Sequence, residues 1–232
     1  SNEGAASIST DGKMIFFTAC NRPDGLGSCD IYYSFLQPNN EFSISSGIGT
    51  PINSSAWESQ PFYHTQQKML FFSSNRSGSV GGKDIWMSTL GADNTWQIPT
   101  NLGVNVNTDG DEETPFLHPD GVTLYFASNG HLGMGGKDIF MSKKQLNGTW
   151  SKPVNLGYPL NSINDENSLF VSTDGQKAYL ASTRDSGFGR LDIYELDLPV
   201  EWRPIPVTYL SASIIEDSSK VAITATFQII DL

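Results

Sequence analysis

The sequence lacks a hydrophobic run near the roughly 18 residues that a membrane-spanning helix needs. Its first residues, Ser-Asn-Glu-Gly, have neither the basic start nor the apolar stretch of a secretory signal. Basic residues are scarce: the sequence has 14 Lys and Arg and 25 Asp and Glu, which gives a net charge of −11 and a pI near 4.5. That balance repels nucleic-acid phosphates and anionic lipid headgroups. We therefore expect no nucleic-acid partner and no direct membrane span.

Motifs of common catalysts are also missing. No Gly-x-Ser-x-Gly nucleophile elbow occurs. Gly-Gly-Lys at 81–83 and 135–137 is followed by Asp and a predicted strand, whereas a phosphate-binding loop needs Ser or Thr and then a helix. Of three histidines, His64 and His118 share a repeat position and His131 stands alone in a glycine-rich segment. The sequence predicts neither an enzyme nor a cofactor.

Only two cysteines are present, Cys20 and Cys29, and they lie at the two ends of a predicted hairpin loop. Cysteines that face each other across a loop mouth can form a disulfide. Later repeats place Ser74 and Lys83 at what we take to be the same positions, and such residues tolerate a loop mouth. A bridge would indicate an oxidising compartment. Two free or buried thiols are the alternative.

What the sequence does contain is a long repeat. An Asp-Ile-aromatic step recurs at a constant spacing of 54 residues, and it begins at Asp30, Asp84, Asp138 and Asp192. A fixed period of this length indicates repeated supersecondary units. Each unit reads as four short strands joined by turns; in the third unit these are 114–118, 122–127, 138–142 and 149–154.

The middle strands of each unit are apolar on both faces, as in Ile15-Phe16-Phe17 and at 69–72. Both faces must therefore be buried, which happens when small antiparallel sheets stack on one another. The sequence predicts an all-β fold, a β-propeller with at least four four-stranded blades, over residues 1–206, with 201–206 as the last outer strand. We interpret 207–232 as the opening strands of a small β-sandwich, or as a strand pair that docks on the propeller.

Several motifs resemble the WD40-like, TolB-type propeller repeat: Ser-Thr-Asp-Gly-Lys at 9–13, His-Pro-Asp-Gly at 118–121, and Gly-Gly-Lys-Asp-Ile at 81–85 and 135–139. The paired glycines, together with Asn-Leu-Gly at 101–103 and 155–157, are more narrowly similar to the propeller of OmpA-family periplasmic proteins. In that family a carboxypeptidase-regulatory-like sandwich follows, and 207–232 is similar to its opening strands. The resemblance covers residues 1 to about 206. The first repeat departs from it, with Ser28-Cys29 where others have Gly-Lys.

This resemblance implies a scaffold in the periplasm, associated with the outer membrane, as in the type IX secretion system. It also implies that peptidoglycan is bound only through an OmpA-like domain that these residues do not contain. The implied partners are other envelope or secretion-system proteins.

Two sets of repeated carboxylates invite a ligand-binding interpretation. The aspartates Asp30, Asp84, Asp138 and Asp192 could form a ring around a ligand, but Asp at the start of a strand more often accepts backbone N–H groups of its loop. Glu58, Glu112 and Glu166 also share a repeat position. We expect them to pair with backbone or with a basic residue of a neighbouring blade.

One segment begins like a calcium-binding loop, with oxygen-bearing side chains at alternate positions: Asn105, Asn107, Asp109 and Asp111. The bidentate Glu expected six residues after Gly110 is Phe116. An ordinary Asx turn is the alternative, and we predict no metal.

For function, the sequence favours a non-enzymatic docking scaffold that presents the loops 20–29, 74–83, 128–137 and 182–191 on one face. Apolar residues stand among the glycines of these loops and are candidate interface residues: Leu26, Val80, Leu132, Met134 and Phe188. They could instead tuck against neighbouring blades. Two other functions stay open, namely a propeller that binds substrate for a hydrolase, and a glycan-binding propeller that uses Trp57.

Overall fold

The computed structural model describes residues 2–184 and 187–209 of the 232-residue chain. The predicted sandwich strands at 210–232 lie outside the described residues. The described strands are β1 (Asn2–Ile8), β2 (Met14–Cys20), β3 (Cys29–Phe35), β4 (Ser46–Gly47), β5 (Glu58–His64), β6 (Met69–Ser74), β7 (Asp84–Thr89), β8 (Thr100–Asn101), β9 (Glu112–Leu117), β10 (Thr123–Ser128), β11 (Asp138–Lys143), β12 (Val154–Asn155), β13 (Glu166–Val171), β14 (Lys177–Ser182) and β15 (Asp192–Asp197). A short 3₁₀ helix, Val200–Trp202, follows.

These strands form four antiparallel sheets in chain order, which we call blades 1 to 4. Blades 1, 2 and 3 contain β1–β4, β5–β8 and β9–β12, and blade 4 contains β13–β15. Each blade is a meander in which consecutive strands pair, because connections of four to ten residues bring each strand back beside the one before it. The predicted all-β propeller architecture is confirmed.

The register within blade 1 corrects one expected equivalence. Cys20 pairs with Cys29 and Ala19 with Asp30, whereas Ser74 pairs with Asp84 in blade 2. The loop of blade 1 is therefore one residue longer, and Cys20 corresponds to Asn75 rather than to Ser74.

The core lies between blades, as the apolar character of both strand faces predicts. Phe16 and Ile31 of blade 1 pack with Leu70, Phe72 and Trp86 of blade 2 in one buried cluster. A second cluster continues through blades 2, 3 and 4. Each large side chain that is fully buried in this way contributes about 1.5–3 kcal/mol, so no blade is stable without its neighbour.

The described blades form an open arc. Blade 1 packs on blade 2, blade 2 on blade 3 and blade 3 on blade 4, but the described parts of blades 1 and 4 do not pack together. Among residues 2–184 and 187–209, one face of blade 4 consequently has no neighbouring blade. It carries an ion-paired group in which Lys177 Nζ lies 3.1 Å from Glu195 Oε1 and 2.7 Å from Asp197 Oδ1.

Residues 201–206 do not form the expected outer strand of blade 4. The chain turns away after the 3₁₀ helix and crosses beneath blades 3 and 4, where Ile205 donates its N–H to Asp120 and Val207 to the carbonyl of Thr173. The cause is Trp202. Its side chain packs on the core of blades 3 and 4, and its carbonyl accepts a hydrogen bond from the buried Tyr125 hydroxyl at 2.7 Å.

Candidate interaction surface

The loops between the second and third strands of the blades lie at one end of the arc, which we call the loop face. Each loop closes on the aspartate that begins the third strand. In blade 3, Asp138 Oδ2 accepts the N–H of Met134 at 2.7 Å and of Gly135 at 3.1 Å. Asp30, Asp84 and Asp192 accept the equivalent two N–H groups in their own loops. Burial raises the pKa of the Asp30 carboxyl, although the hydrogen bonds from the Leu26 and Gly27 N–H groups act to lower it.

The glycines of these loops are required by close backbone approach. A Cβ atom on Gly135 would lie 2.0 Å from the carbonyl oxygen of Asn164, in the connector that leads into blade 4. The loop of one blade therefore rests directly on the connector to the next, and only glycine fits there.

The apolar loop residues are exposed rather than tucked against neighbouring blades. Leu26, Val80, Met134 and Phe188 are 51%, 44%, 47% and 104% exposed, and they are spaced 54 residues apart. Each is the residue whose N–H the loop aspartate accepts. We call this row of four equivalent side chains the apolar arc; Leu132, 95% exposed, lies beside Met134 in the same loop.

The repeated glutamates bind inside their own blades. Glu58 accepts hydrogen bonds from Ser54 and Ser74 and lies 3.1 Å from Arg76, and Glu166 pairs in the same way with Arg184 at 3.4 Å. The basic partner therefore comes from the same blade and not from a neighbour. Sequence reasoning missed these arginines, although Arg76 and Arg184 are two periods apart.

Glu112 has a different partner arrangement. Its blade carries His131, whose Nε2 lies 2.8 Å from the carbonyl of Val106, whereas Arg76 and Arg184 donate to the equivalent carbonyls of Ile52 and Leu160. Burial raises the pKa of Glu112, although hydrogen bonds from Thr108 and Ser128 oppose the shift. His131 therefore takes the structural place of an arginine.

A charged group at the boundary of blades 2 and 3 was not expected. The buried Glu113 lies between Lys83, at 2.6 Å, and Lys137. Burial raises the pKa of Glu113, but the two lysines outweigh it and hold that pKa below its usual value. Lys83 Nζ also lies 5.0 Å from the centre of the Trp57 ring, so one face of the candidate glycan-binding residue is already in contact with a cation.

The candidate calcium residues contact separate partners. The Asn107 amide binds the backbone of Ile85, Asn105 donates to the carbonyl of Trp150, and Asp111 accepts the N–H of Lys83. Within the described residues, no group of three or more His, Cys, Asp or Glu side chains is placed to hold a metal ion.

Cys20 and Cys29 form a disulfide across the loop of blade 1. It closes the end of the hairpin at which the apolar arc begins, because Leu26 lies within the bridged loop.

The inner strands of the blades surround a central groove of about 540 Å³. Each inner strand has a bulge there with a left-handed residue, at Ala5, Gln60, Thr114 and Ser168. Such backbone is costly for residues other than glycine. It is supported by hydrogen bonds between blades, since Gln60 Oε1 accepts the N–H of Thr114 and Thr114 Oγ1 that of Ser168.

Comparisons with solved structures find the same fold. TolB from Acinetobacter baumannii is 17% identical with a TM-score of 0.55 over 85% of this chain and 41% of that chain. A putative TolB from Agrobacterium tumefaciens is 15% identical with a TM-score of 0.56 over 86% and 62%. An alpha-L-arabinofuranosidase from Lactobacillus brevis is 14% identical with a TM-score of 0.51 over 88% and 76%.

The chain therefore has a TolB-type β-propeller fold and spans about two fifths and three fifths of the two TolB proteins. No family model and no curated protein matches it. Among the described residues, no helix is long and apolar enough to cross a membrane.

Proposed function

We propose that this chain is a non-enzymatic docking scaffold of a bacterial envelope or secretion assembly, and that the apolar arc of the loop face is its docking surface. The observation that carries the proposal is the equivalence of Leu26, Val80, Met134 and Phe188, which are exposed at one repeat position and held by one repeated hydrogen bond. Exposed apolar side chains on a rigid frame are suited to bind another protein, because little conformational entropy is lost on binding.

The proposed location is the periplasm, in association with the outer membrane. It is supported by the resemblance of the loop and connector motifs to OmpA-family propellers, and most closely to PorE, the peptidoglycan-associated component of the type IX secretion system. The disulfide between Cys20 and Cys29 is in keeping with an oxidising compartment. The proposed partners are other envelope proteins of the same assembly.

The proposal that the chain is not an enzyme is supported by its histidines. His64 and His118 are buried at the end opposite the loop face, and His118 lies 3.1 Å from the Ser172 carbonyl of the next blade. His131 lies against the Val106 carbonyl. The Nδ1 atom of His64 accepts the N–H of Gln67, so each histidine contacts the chain's own backbone.

The test is photo-crosslinking in the bacterium that makes the protein, with the crosslinking amino acid at Met134 or at Phe188. Ile44 and Ile98 lie in the connections between the third and fourth strands of blades 1 and 2, which we call the rim. They are matched controls because they are 94% and 81% exposed and are also one period apart. We expect envelope proteins to crosslink at the arc and not at the rim. A variant with all four arc residues changed to Ser should lose these partners, whereas Ile44→Ser with Ile98→Ser should keep them. Equal loss in both variants, or crosslinks at the rim alone, would reject the loop face.

A further inference from the structure

We infer that the outer edge of β15 in blade 4 is a second binding site, which accepts an extended segment of another polypeptide with the pattern Asn-Leu-Gly followed four residues later by Asn. This inference rests on strand edges and is independent of the loop face. Blades 1, 2 and 3 each complete their own outer edge with a short fourth strand.

The third strand of blade 3 shows how an edge is covered. Val154 and Asn155 of β12 pair with Met141 and Phe140 of β11, and Leu156 then donates its N–H to the carbonyl of Ile139 at 3.2 Å. The connector turns through Gly157, whose φ of 60° is left-handed.

Further along the same connector, the side chain of Asn161 binds the backbone of Ile139. Asn161 Oδ1 accepts the N–H of Ile139 at 2.7 Å, and Asn161 Nδ2 donates to the Ile139 carbonyl at 2.9 Å. One amide side chain thus satisfies both outward backbone groups of one strand residue. Asn161 is completely buried, so the clamp is part of the interior.

Blades 1 and 2 repeat this arrangement. Asn53 clamps Ile31 at 2.9 and 3.0 Å, and Asn107 clamps Ile85 at 2.8 and 3.0 Å. Gly49 and Gly103 have the same left-handed backbone as Gly157. Three edges are therefore covered by one short pattern: Gly47-Ile48-Gly49 with Asn53, Asn101-Leu102-Gly103 with Asn107, and Asn155-Leu156-Gly157 with Asn161.

In the part of the chain that the structure describes, blade 4 has the receiving strand without the covering segment. Ile193 pairs with Ala181 of β14 as Ile139 pairs with Ala127, so its N–H and carbonyl point outward. No residue among 2–184 and 187–209 pairs with this outer edge. The Ile193 side chain lies on the same face of the sheet as Glu195 and is 82% exposed, whereas Ile139 is completely buried between blades.

Of the described residues that follow β15, 199–209 do not supply the missing strand, because they cross to blade 3 and the groove. An open edge of this kind is a template for an added strand. Main-chain hydrogen bonds would give affinity, and the Asn clamp would give selectivity. Asp192 is also in place to receive the donor's first Asn, as Asp84 receives the Asn101 amide at 2.5 Å.

The probe is a fluorescent peptide with the sequence of residues 152–162, Lys-Pro-Val-Asn-Leu-Gly-Tyr-Pro-Leu-Asn-Ser, titrated with the 232-residue chain and followed by anisotropy. We expect saturable binding. A control peptide carrying Asn161→Ala lacks both clamp hydrogen bonds and should bind at least tenfold more weakly.

Two variants of the protein locate the site. Ile193→Pro removes the outward N–H but not the pairing with β14, since proline is tolerated on a strand edge; peptide affinity should fall at least tenfold. Ile193→Ala keeps the N–H and should stay within threefold of the natural chain. Circular dichroism melting of both variants checks that blade 4 is intact.

Three results would overturn the inference: no saturable binding, equal binding of the Asn161→Ala peptide, or equal binding to the Ile193→Pro variant. Hydrogen exchange gives a fourth criterion, because a strongly protected Ile193 amide in the free chain would mean that residues of the chain itself already cover the edge. Failure here is separable from failure of the proposed function, since the variant with four serines in the arc should still bind the peptide.

Discussion

Blades 3 and 4 follow the same repeat but have different surroundings. In blade 3 both faces of β10 are covered, and Leu124, Tyr125 and Phe126 are completely buried. In blade 4 no described residue of another blade covers one face of β14, which we call the free face, and Lys177 and Tyr179 lie on that side.

The substitutions between the two blades follow this difference. Met141 of blade 3, which faces blade 4, corresponds to Glu195, and Thr123 corresponds to Lys177. The loop aspartates Asp138 and Asp192 and the fully buried glutamates Glu112 and Glu166 are the same in both blades, and two loop glycines of blade 3, Gly133 and Gly135, recur as Gly187 and Gly189. The repeat therefore specifies the backbone of a blade, whereas a few side chains on one face reflect the presence or absence of a neighbour.

The largest expected effect comes from a matched pair of tyrosines one period apart. Tyr125→Ala should lower the free energy of unfolding by about 4 kcal/mol, because it leaves a cavity between blades and removes the hydrogen bond to Trp202. Tyr179→Ala should cost about 1 kcal/mol or less, since that ring lies on the free face. Urea unfolding followed by tryptophan fluorescence measures both.

An equal loss in the free energy of unfolding for Tyr125→Ala and Tyr179→Ala would contradict the difference between blades 3 and 4. They would mean that the free face of blade 4 is covered in solution. Repeating the measurement over a range of protein concentrations separates cover by a second copy, which depends on concentration, from cover within the chain.

A second pair tests the buried charges. Arg76 lies against the fully buried Glu58, whereas Arg22, one period earlier, pairs at 3.0 Å with Glu3, whose side chain is 43% exposed. Arg76→Ala should cost about 3 kcal/mol, because it leaves a buried carboxylate without its cation. Arg22→Ala should cost about 1 kcal/mol, mainly through its stacking on Tyr32.

The control for this pair is Arg76→Ala combined with Glu58→Gln, measured in the same urea titration. Removal of both charges should recover part of the loss. If the double variant is less stable than Arg76→Ala alone, the arginine contributes through packing and its backbone hydrogen bonds rather than through charge.

The blades could be predicted from sequence because their determinants are local and repeated. Two-sided apolar strands and Asp-Gly turns predict a stacked meander in each unit, and the 54-residue spacing identifies Asp30 and its equivalents as loop residues. The extra residue in the loop of blade 1 went unnoticed because the spacing of Asp30 to Asp84 is unaffected by it.

Other features depend on contacts between distant segments and were not predictable in this way. Residues 201–206 resemble an outer strand in their Trp and Pro content, yet the Trp202 carbonyl accepts a hydrogen bond from the Tyr125 hydroxyl and the Trp202 side chain packs on the core instead. Asn53, Asn107 and Asn161 are spaced 54 residues apart, but their role as clamps depends on the strand register, which this spacing does not reveal. Glu113 has no equivalent in other blades, where Ser59 and Asn167 stand.

The smallest expected effect is a dependence of stability on pH. It distinguishes blades 2 and 3, which carry a buried histidine at one repeat position, from blades 1 and 4, which do not. His64 is buried in blade 2, where its Nδ1 atom accepts the N–H of Gln67, while Ser9 and Ser172 occupy this position in blades 1 and 4. Burial lowers the pKa of His64, and nearby His118 adds to this shift while Asp120 opposes it. The unfolded chain therefore binds a proton near pH 6.5 that the folded chain resists. Stability should fall as the pH drops below 6.5, by at most about 1.4 kcal/mol per pH unit.

The contribution of His64 must be measured as a difference between the natural chain and a variant. Burial raises the pKa of Asp30 and of Glu112, and these two carboxyl groups increase the stability of the folded chain as the pH falls. His64→Asn keeps a hydrogen-bond acceptor near Gln67 and cannot take up the proton. Urea unfolding at pH 7.5 and 5.5 should show a smaller loss of stability in this variant than in the natural chain. If both chains lose the same amount, His64 is not the titrating group, and the middle blades would then resemble the outer ones in their response to acid.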